Sequence, residues 1–288
     1  MEEEQKKRSA LVHQICDKYK VESTLQTISS RTLDHLIVDD EHKLIYCFIP
    51  KVACTNWKKI MLFLSPKNRN YSTPDDIEPE TAHHDNVMIR HLNSYSKTGI
   101  ERRLKEYIKF IFVREPMERL LSAYLNKFTK HYESSKAFQL RYGTQIIAKY
   151  RKNPSPESIK FGHDVTFHEF IRYILDHDTF ESRPMNEHWL QFYHMCHPCL
   201  IDYNFIGKYQ TLMEDAGNLL KLAKIDHLVS FPETRLSQGR TQSITKDYYK
   251  QITSSEIHSL WQMYVVDYLM FGYTYPKFKA SDQDKSHD

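Results

Sequence analysis

Three short apolar runs, each closed by a turn and followed by an apolar stripe at helical spacing, set the frame of this chain. The first is Leu44 to Ile49, LIYCFI, stopped by Pro50. It is too short for a helix and reads as a buried strand. From Thr55 the apolar positions Trp57, Ile60, Met61 and Leu64 recur as one face of a helix. The second run is Ile108 to Val113, IKFIFV, ending in Arg114-Glu115-Pro116. Proline suits the first turn of a helix, and Leu120, Leu121, Tyr124, Leu125 and Phe128 continue it. The third run is Tyr203 to Tyr209, YNFIGKY; Thr211-Leu212-Met213-Glu214 then reads as a capping box opening a helix to about Lys224. Strands alternating with helices predict an α/β fold, a parallel sheet flanked by helices. Ligands of such sheets bind beyond the strand C-termini.

The flanking chain reads as follows. Glu2 to Lys20 carries Leu11, Val12, Ile15 and Tyr19 as an amphipathic helix, and a polar linker runs to Ser30. Leu33 to Val38 is a short strand or turn feeding the central strand. Ser65 to Asp85 holds Pro66, Pro74 and Pro79 and reads as a loop facing substrate; Arg102 to Tyr107 is helical. Tyr132 to Lys152 is mixed helix, and Thr166 with Glu169 forms a capping box for the next one. Arg183 to Trp189 is a loop, Phe231 to Thr245 a polar mobile stretch, and Asp247 to Phe271 a terminal helical region. The expected organisation is a helical and linker segment over 1–30, a main domain over 31–276 and a disordered tail over 277–288.

Composition narrows this picture only slightly. With 40% apolar and 13% aromatic residues the chain can bury a core, and 7 glycines argue against repeats or low complexity. A net charge of +3 is too weak to imply nucleic acid. The cations do cluster, at Lys58-Lys59, at Arg102, Arg103 and Lys105, and at Arg141 with Lys149, Arg151 and Lys152. Such clusters are either solvated helix faces or a groove for an acidic polymer. No window has the ~18 apolar residues of a membrane span, and MEEEQKKRSA is not a signal sequence. Cys196-x-x-Cys199 is compatible with a redox pair, half a zinc site or a structural disulfide element. Disulfides involving Cys196, Cys199 and Cys16 suit a secretory compartment, and Cys47 reads as a buried thiol in its strand. Asn70-Tyr71-Ser72 is a glycosylation sequon in a polar loop.

Chemistry concentrates at the two strand ends. Lys51-Val52-Ala53-Cys54-Thr55 turns from strand into helix, where free N–H groups and the helix dipole favour an anion. Lysine and hydroxyl add donors. The glycine pattern of a Walker A loop is missing. The second strand ends in Arg114, suited to a bidentate grip on phosphate, rather than in the magnesium-holding aspartate of a P-loop kinase or NTPase. Arg119 and Ser122, three apart, share a helix face.

These residues resemble a known family. Pro50, Lys51, Thr55 and Trp57 occupy the Pro-Lys-x-x-x-[Ser/Thr]-x-Trp positions of the sulfotransferase 5′-phosphosulfate loop. The variant PKVACTNWKK, with REPMERLLS at Arg114 to Ser122, NEHW at Asn186, CHPC at Cys196 and FGYTYP at Phe271, resembles the Golgi carbohydrate 4-O-sulfotransferases of the HNK-1, chondroitin and dermatan group, the chondroitin enzymes above all. The resemblance implies a P-loop-like sulfotransferase fold and transfer of a sulfuryl group from 3′-phosphoadenylyl sulfate to the 4-hydroxyl of N-acetylgalactosamine. The alternatives are another terminal sugar as acceptor, or a non-catalytic binder of acidic glycans. It implies donor binding by Pro50, Lys51, Val52, Ala53, Cys54, Thr55 and Asn56, and by Arg114, Glu115, Pro116, Met117, Glu118, Arg119, Leu120, Leu121 and Ser122. No metal is expected, and Cys54 is a packing residue, since sulfuryl transfer needs no covalent intermediate. Lys51 would stabilise the departing phosphate oxygen. Histidine is apt as the base: His188 is the candidate, against a structural histidine packed on Trp189, with His84 in reserve. The implied partner is a glycosaminoglycan or other glycan, with no nucleic acid. Family members are type II Golgi membrane proteins; this chain shows no anchor, as expected of a luminal portion, an incomplete chain or an unanchored variant.

Overall fold

The computed structural model describes residues 1–21, 33–68, 70–84, 89–181, 184–232, 238–276 and 278. In chain order it contains α1 (Glu2–Tyr19), β1 (Leu36–Asp39), β2 (Leu44–Cys47), α2 (Cys54–Leu64), α3 (Pro79–His84), β3 (Arg90–His91), α4 (Lys97–Glu106) and β4 (Ile108–Val113). Then follow α5 (Pro116–Phe128), α6 (Glu133–Phe138), α7 (Thr144–Tyr150), α8 (Pro156–Phe161), α9 (Phe167–Leu175), α10 (His177–Glu181) and α11 (Phe192–Cys196). The chain closes with β5 (Phe205–Lys208), α12 (Leu212–Leu222), α13 (Gln238–Tyr249) and α14 (Ser254–Met270). These elements form two compact units. The first comprises Met1–Glu115, Leu190–Leu236 and Val266–Tyr273, the second Pro116–Trp189, Ser237–Val265 and Thr274–Asp288.

The first unit is built on a sheet of order β3-β1-β2-β4-β5. The three strands read from the apolar runs, β2, β4 and β5, pair in parallel, as the strand–helix alternation predicts. The segment before them is a genuine strand, β1, and it pairs with β2 antiparallel. A tight turn explains why: the Asp39 carboxylate accepts from the N–H groups of Glu41 and His42 at 2.9 and 3.1 Å, and Lys43 adopts a left-handed φ of 53°. Trp57, 1% exposed, packs its ring 5.0 Å from both Phe110 and Phe112 and 4.9 Å from Phe231. That seats α2 on β4. Beside it Phe112 lies flat over Gly207 of β5, where a Cβ would come within 2.3 Å of the ring.

Two disulfides form among the described residues, Cys16–Cys199 and Cys47–Cys196. Neither closes the CxxC on itself, and Cys47 is not the free thiol expected from its strand. A half-cystine in a buried strand has the same apolar neighbours as a thiol, and its partner lies 149 residues away. Cross-links over such long loops remove much unfolded-state entropy, on the order of 5 kcal/mol each in the chain-entropy model.

The capping box expected at Thr211 does not form. The Thr211 hydroxyl donates instead to Asp215 at 2.7 Å, because that carboxylate also takes the Lys208 N–H at 2.8 Å and Arg8 at 2.9 Å. Through it α1, β5 and α12 are joined. The expected loop over 65–85 holds α3 and a short 3-10 turn at Pro74–Asp76; Asp85 lies outside the described residues.

The second unit is helical. Trp189 is fully buried, with the rings of Tyr142 and Phe170 5.4 and 5.5 Å away. The Thr166–Glu169 capping box forms as expected, and Arg151 grips Glu169 with two bonds of 2.7 Å. The stretch read as mobile from Phe231 contains α13 from Gln238 onward, while 233–237 lies outside the described residues, as does most of the expected tail. A polar sequence makes a helix here because its tyrosines pack: the Tyr249 hydroxyl donates to the Met117 carbonyl at 3.0 Å, and its ring meets Phe167.

One partly exposed network of the first unit is pH-sensitive. Arg103 donates to both Asp40 oxygens at 2.8 and 2.9 Å, and Tyr95 and Tyr107 each add a bond of 2.8 Å. Burial pushes the carboxyl up, but the bonds from Arg103, Tyr107 and Tyr95 together outweigh it and hold Asp40 at about 2. A depressed carboxylate stabilises the fold above its ordinary value near 3.8 and loses that contribution as pH falls toward 2. Thermal unfolding followed from pH 5 to pH 2 is therefore expected to show a smaller acid-side fall in Tm for Asp40→Asn than for the parent.

Candidate functional site

The first strand–helix turn has the backbone geometry of an anion-binding nest. Lys51 and Ala53 both adopt left-handed backbone, φ 72° and 56°, a conformation costing roughly 1–2 kcal/mol per non-glycine residue. Alternating left- and right-handed residues point successive N–H groups into one concavity. The amides of Val52 and Asn56 are taken by the carbonyls of Ile49 and Ala53, at 3.3 and 3.1 Å. The Ala53, Cys54 and Thr55 amides are left at the mouth of α2, whose first turn has no side-chain cap and no acidic residue. Cys54 is buried and is the free cysteine of the described chain.

The second strand end meets the first. Arg114, 2% exposed, donates from Nη1 to the Lys51 carbonyl at 3.2 Å. Its guanidinium lies over the Tyr209 ring, 4.2 Å from the centroid. Tyr209 directly follows β5, so the ends of β2, β4 and β5 all contribute to one cluster. Glu115 accepts a hydrogen bond from the Tyr268 hydroxyl. Thr55, the second residue of α2, has its Oγ1 3.0 Å from His83 Nε2 on α3.

The remaining expected residues lie in the second unit. Pro116 opens α5, and Met117, Leu120 and Leu121 face its core. Arg119, 2% exposed, donates from Nη2 to the Glu187 carbonyl at 2.6 Å, tying α5 to the turn that carries His188. Ser122 is half-buried on α5. The Asn186 amide oxygen accepts from the His188 N–H at 3.0 Å and lies 2.9 Å from His188 Nδ1, while its nitrogen donates to the Tyr142 hydroxyl at 3.1 Å. An amide oxygen only accepts, so Nδ1 carries the proton and the basic nitrogen of His188 is Nε2. The His188 ring sits against Phe138, 5.1 Å centroid to centroid. The side chain of His84 lies outside the described residues.

Residues 34–274 match the sulfotransferase family. The chain belongs to it. Carbohydrate sulfotransferase 11 of Rattus norvegicus is 44% identical to this sulfotransferase over 257 residues, 89% of this chain and 72% of the relative. Carbohydrate sulfotransferase 12 of Mus musculus is 36% identical over 295 residues, 95% and 69% of the two chains. Carbohydrate sulfotransferase 8 of Homo sapiens is 34% identical over 278 residues, 94% and 63%. No solved structure matches it.

Three contacts of this sulfotransferase escape sequence reading. Tyr209 was visible only as the end of a strand, and no local pattern marks His83 or Tyr268. The Asn186–His188 contact did leave a signal, since asparagine two residues before its partner is an Asx-turn pattern.

Four cations of the basic clusters are engaged within the chain. Lys58 lies over the Phe48 ring at 3.8 Å, Arg103 is held by Asp40, Arg151 by Glu169 and Asp164, and Lys149 by Asp176. Solvated or internally paired helix faces account for them.

The Arg114 fork serves a carbonyl and an aromatic face together, and a lysine cannot do both. Arg114→Lys is expected to leave the global fold intact and to raise amide exchange selectively at Val52 to Trp57, measured by hydrogen–deuterium exchange with mass spectrometry.

Proposed function

We propose that this sulfotransferase moves the sulfuryl group of 3′-phosphoadenylyl sulfate to the 4-hydroxyl of N-acetylgalactosamine in chondroitin or dermatan chains. The observation that carries the donor half is the Lys51 turn joined through its carbonyl to Arg114 at the adjacent strand end. An uncapped helix mouth with three unspent amides suits a 5′-phosphosulfate. A buried guanidinium backed by an aromatic ring suits a second phosphate. The acceptor half rests on the resemblance of PKVACTNWKK, REPMERLLS and NEHW to the chondroitin enzymes and on the likeness to carbohydrate sulfotransferases.

In this reading Lys51 and the amides of Ala53, Cys54 and Thr55 hold the 5′-phosphosulfate, with Pro50, Val52 and Asn56 shaping the turn. Arg114 and Ser122 take the 3′-phosphate and Arg119 assists through the turn it holds. The sugar oxygen attacks sulfur in line as the bond from sulfur to the 5′-phosphate oxygen breaks. Lys51 and Thr55 stabilise the charge appearing on that oxygen. His188 takes the hydroxyl proton on Nε2, and adenosine 3′,5′-bisphosphate leaves. Nothing in this scheme calls for a metal. The long-range disulfides and the exposed sequon at Asn70 suit a secretory compartment, and the family resemblance supports the Golgi lumen. Among the described residues no helix is long and apolar enough to cross a membrane. Binding acidic glycans without catalysis is the weaker reading, because so many clustered cations are already engaged.

Radiolabelled donor, a panel of desulfated glycans and disaccharide analysis of the product test this directly; label on a position other than O-4, or on a sugar outside these chains, sinks the acceptor assignment. Lys51→Ala is expected to lower turnover by about 10²–10³ with the fold retained, and near-normal activity would remove Lys51 from the chemistry. His188→Ala is expected to cut kcat at least tenfold while leaving the donor KM within about threefold; an effect on the donor KM alone points to another base.

A further inference from the structure

The contact between Thr55 Oγ1 and His83 Nε2, 3.0 Å long, has two possible directions. A hydroxyl has one hydrogen and two lone pairs, and a neutral imidazole nitrogen either donates or accepts. If Nε2 is bare, Thr55 spends its hydrogen on the ring and turns a lone pair toward the mouth of α2. If Nε2 carries hydrogen, the ring donates into Oγ1 and the Thr55 hydrogen is left to point elsewhere. Only the second arrangement lets Thr55 donate to an anion in the cradle.

We propose that His83 is a positioning residue for the donor substrate, donating from Nε2 to Thr55 Oγ1 and so turning the Thr55 hydroxyl hydrogen onto the 5′-phosphate. This rests on the donor reading given above. The placement of His83 supports it. It sits on α3, which packs against α2; Ala82 next to it is 1% exposed, while His83 itself is exposed. An exposed neutral hydrogen bond adds little to folding, so the contact matters chiefly for what the hydroxyl does next. As negative charge grows on the departing phosphate oxygen, a hydroxyl already accepting from the ring becomes a stronger donor, because hydrogen bonds in a chain polarise one another.

The test uses the full chain, with binding of adenosine 3′,5′-bisphosphate by calorimetry and steady-state KM for 3′-phosphoadenylyl sulfate. His83→Phe removes the ring donor and is expected to weaken bisphosphate binding and raise the donor KM about tenfold, the scale of one hydrogen bond to a charged group. His83→Gln, whose amide can donate to the same oxygen, is expected to stay within about threefold of the parent. Thr55→Val cuts the contact from the other side, and in that background His83→Phe is expected to add nothing. An unchanged bisphosphate affinity in His83→Phe overturns the proposal. So does a loss that persists in full beside Thr55→Val, since the ring then acts on the substrate directly. Failure of the parent chain itself to bind the bisphosphate would strike the donor reading first, and would be seen before any variant is made.

Discussion

Parallel pairing of β2 with β4, from Leu44 opposite Ile108 to Cys47 opposite Ile111, brings two strand C-termini side by side. Neighbouring strands are about 4.8 Å apart, so whatever follows each must share the same small volume. Here a left-handed turn follows one and an arginine the other, and the guanidinium reaches the Lys51 carbonyl. A buried guanidinium is costly to desolvate unless its donors find acceptors. The carbonyl and the Tyr209 ring meet part of that requirement, and Tyr209 is supplied by the next parallel strand along. The cluster is thus a property of the strand order as much as of the residues.

The strain in the Lys51 turn is tolerable because it is bounded on two sides. Above, Arg114 fixes the Lys51 carbonyl. Below, Trp57 fixes the first turn of α2 against Phe110, Phe112 and Phe231. A close-packed core transmits displacement rather than absorbing it, so the same indole that stabilises the sheet also sets where the helix mouth opens. Tryptophan two residues after the hydroxyl is therefore as much a part of the cradle as the hydroxyl.

Elements whose signal is local were legible in the residues alone. Pro50 and Pro116 marked the ends of β2 and β4, and the helical stripes after them fixed α2 and α5. The Lys51–Arg114 proximity followed from strand–helix alternation plus the rule that ligands lie beyond strand C-termini. What escaped depends on partners distant in sequence. Cys47 pairs with Cys196 across most of the chain. Thr211 abandons its capping box because Asp215, pulled in by Arg8 and the end of β5, is the better acceptor. The helix α13 has a polar sequence and exists through two tyrosines that pack on Tyr124, Phe167 and the Met117 carbonyl. In each case a tertiary contact outweighs the local preference, and no window of a dozen residues contains it.

Electrostatics follow the same logic. Of the cations that cluster in the sequence, Arg103, Arg151 and Lys149 each sit against a carboxylate and Lys58 lies over an aromatic ring. The ion-paired cations present dipoles, whose fields weaken with distance faster than that of a bare charge, and salt screens what remains over about 8–10 Å. Attraction of an acidic chain by diffuse field is correspondingly weak at the modest net charge of +3. Within the second unit the Asn186–His188 pair fixes which ring nitrogen is basic, and the Arg119–Glu187 bond holds the turn that carries it.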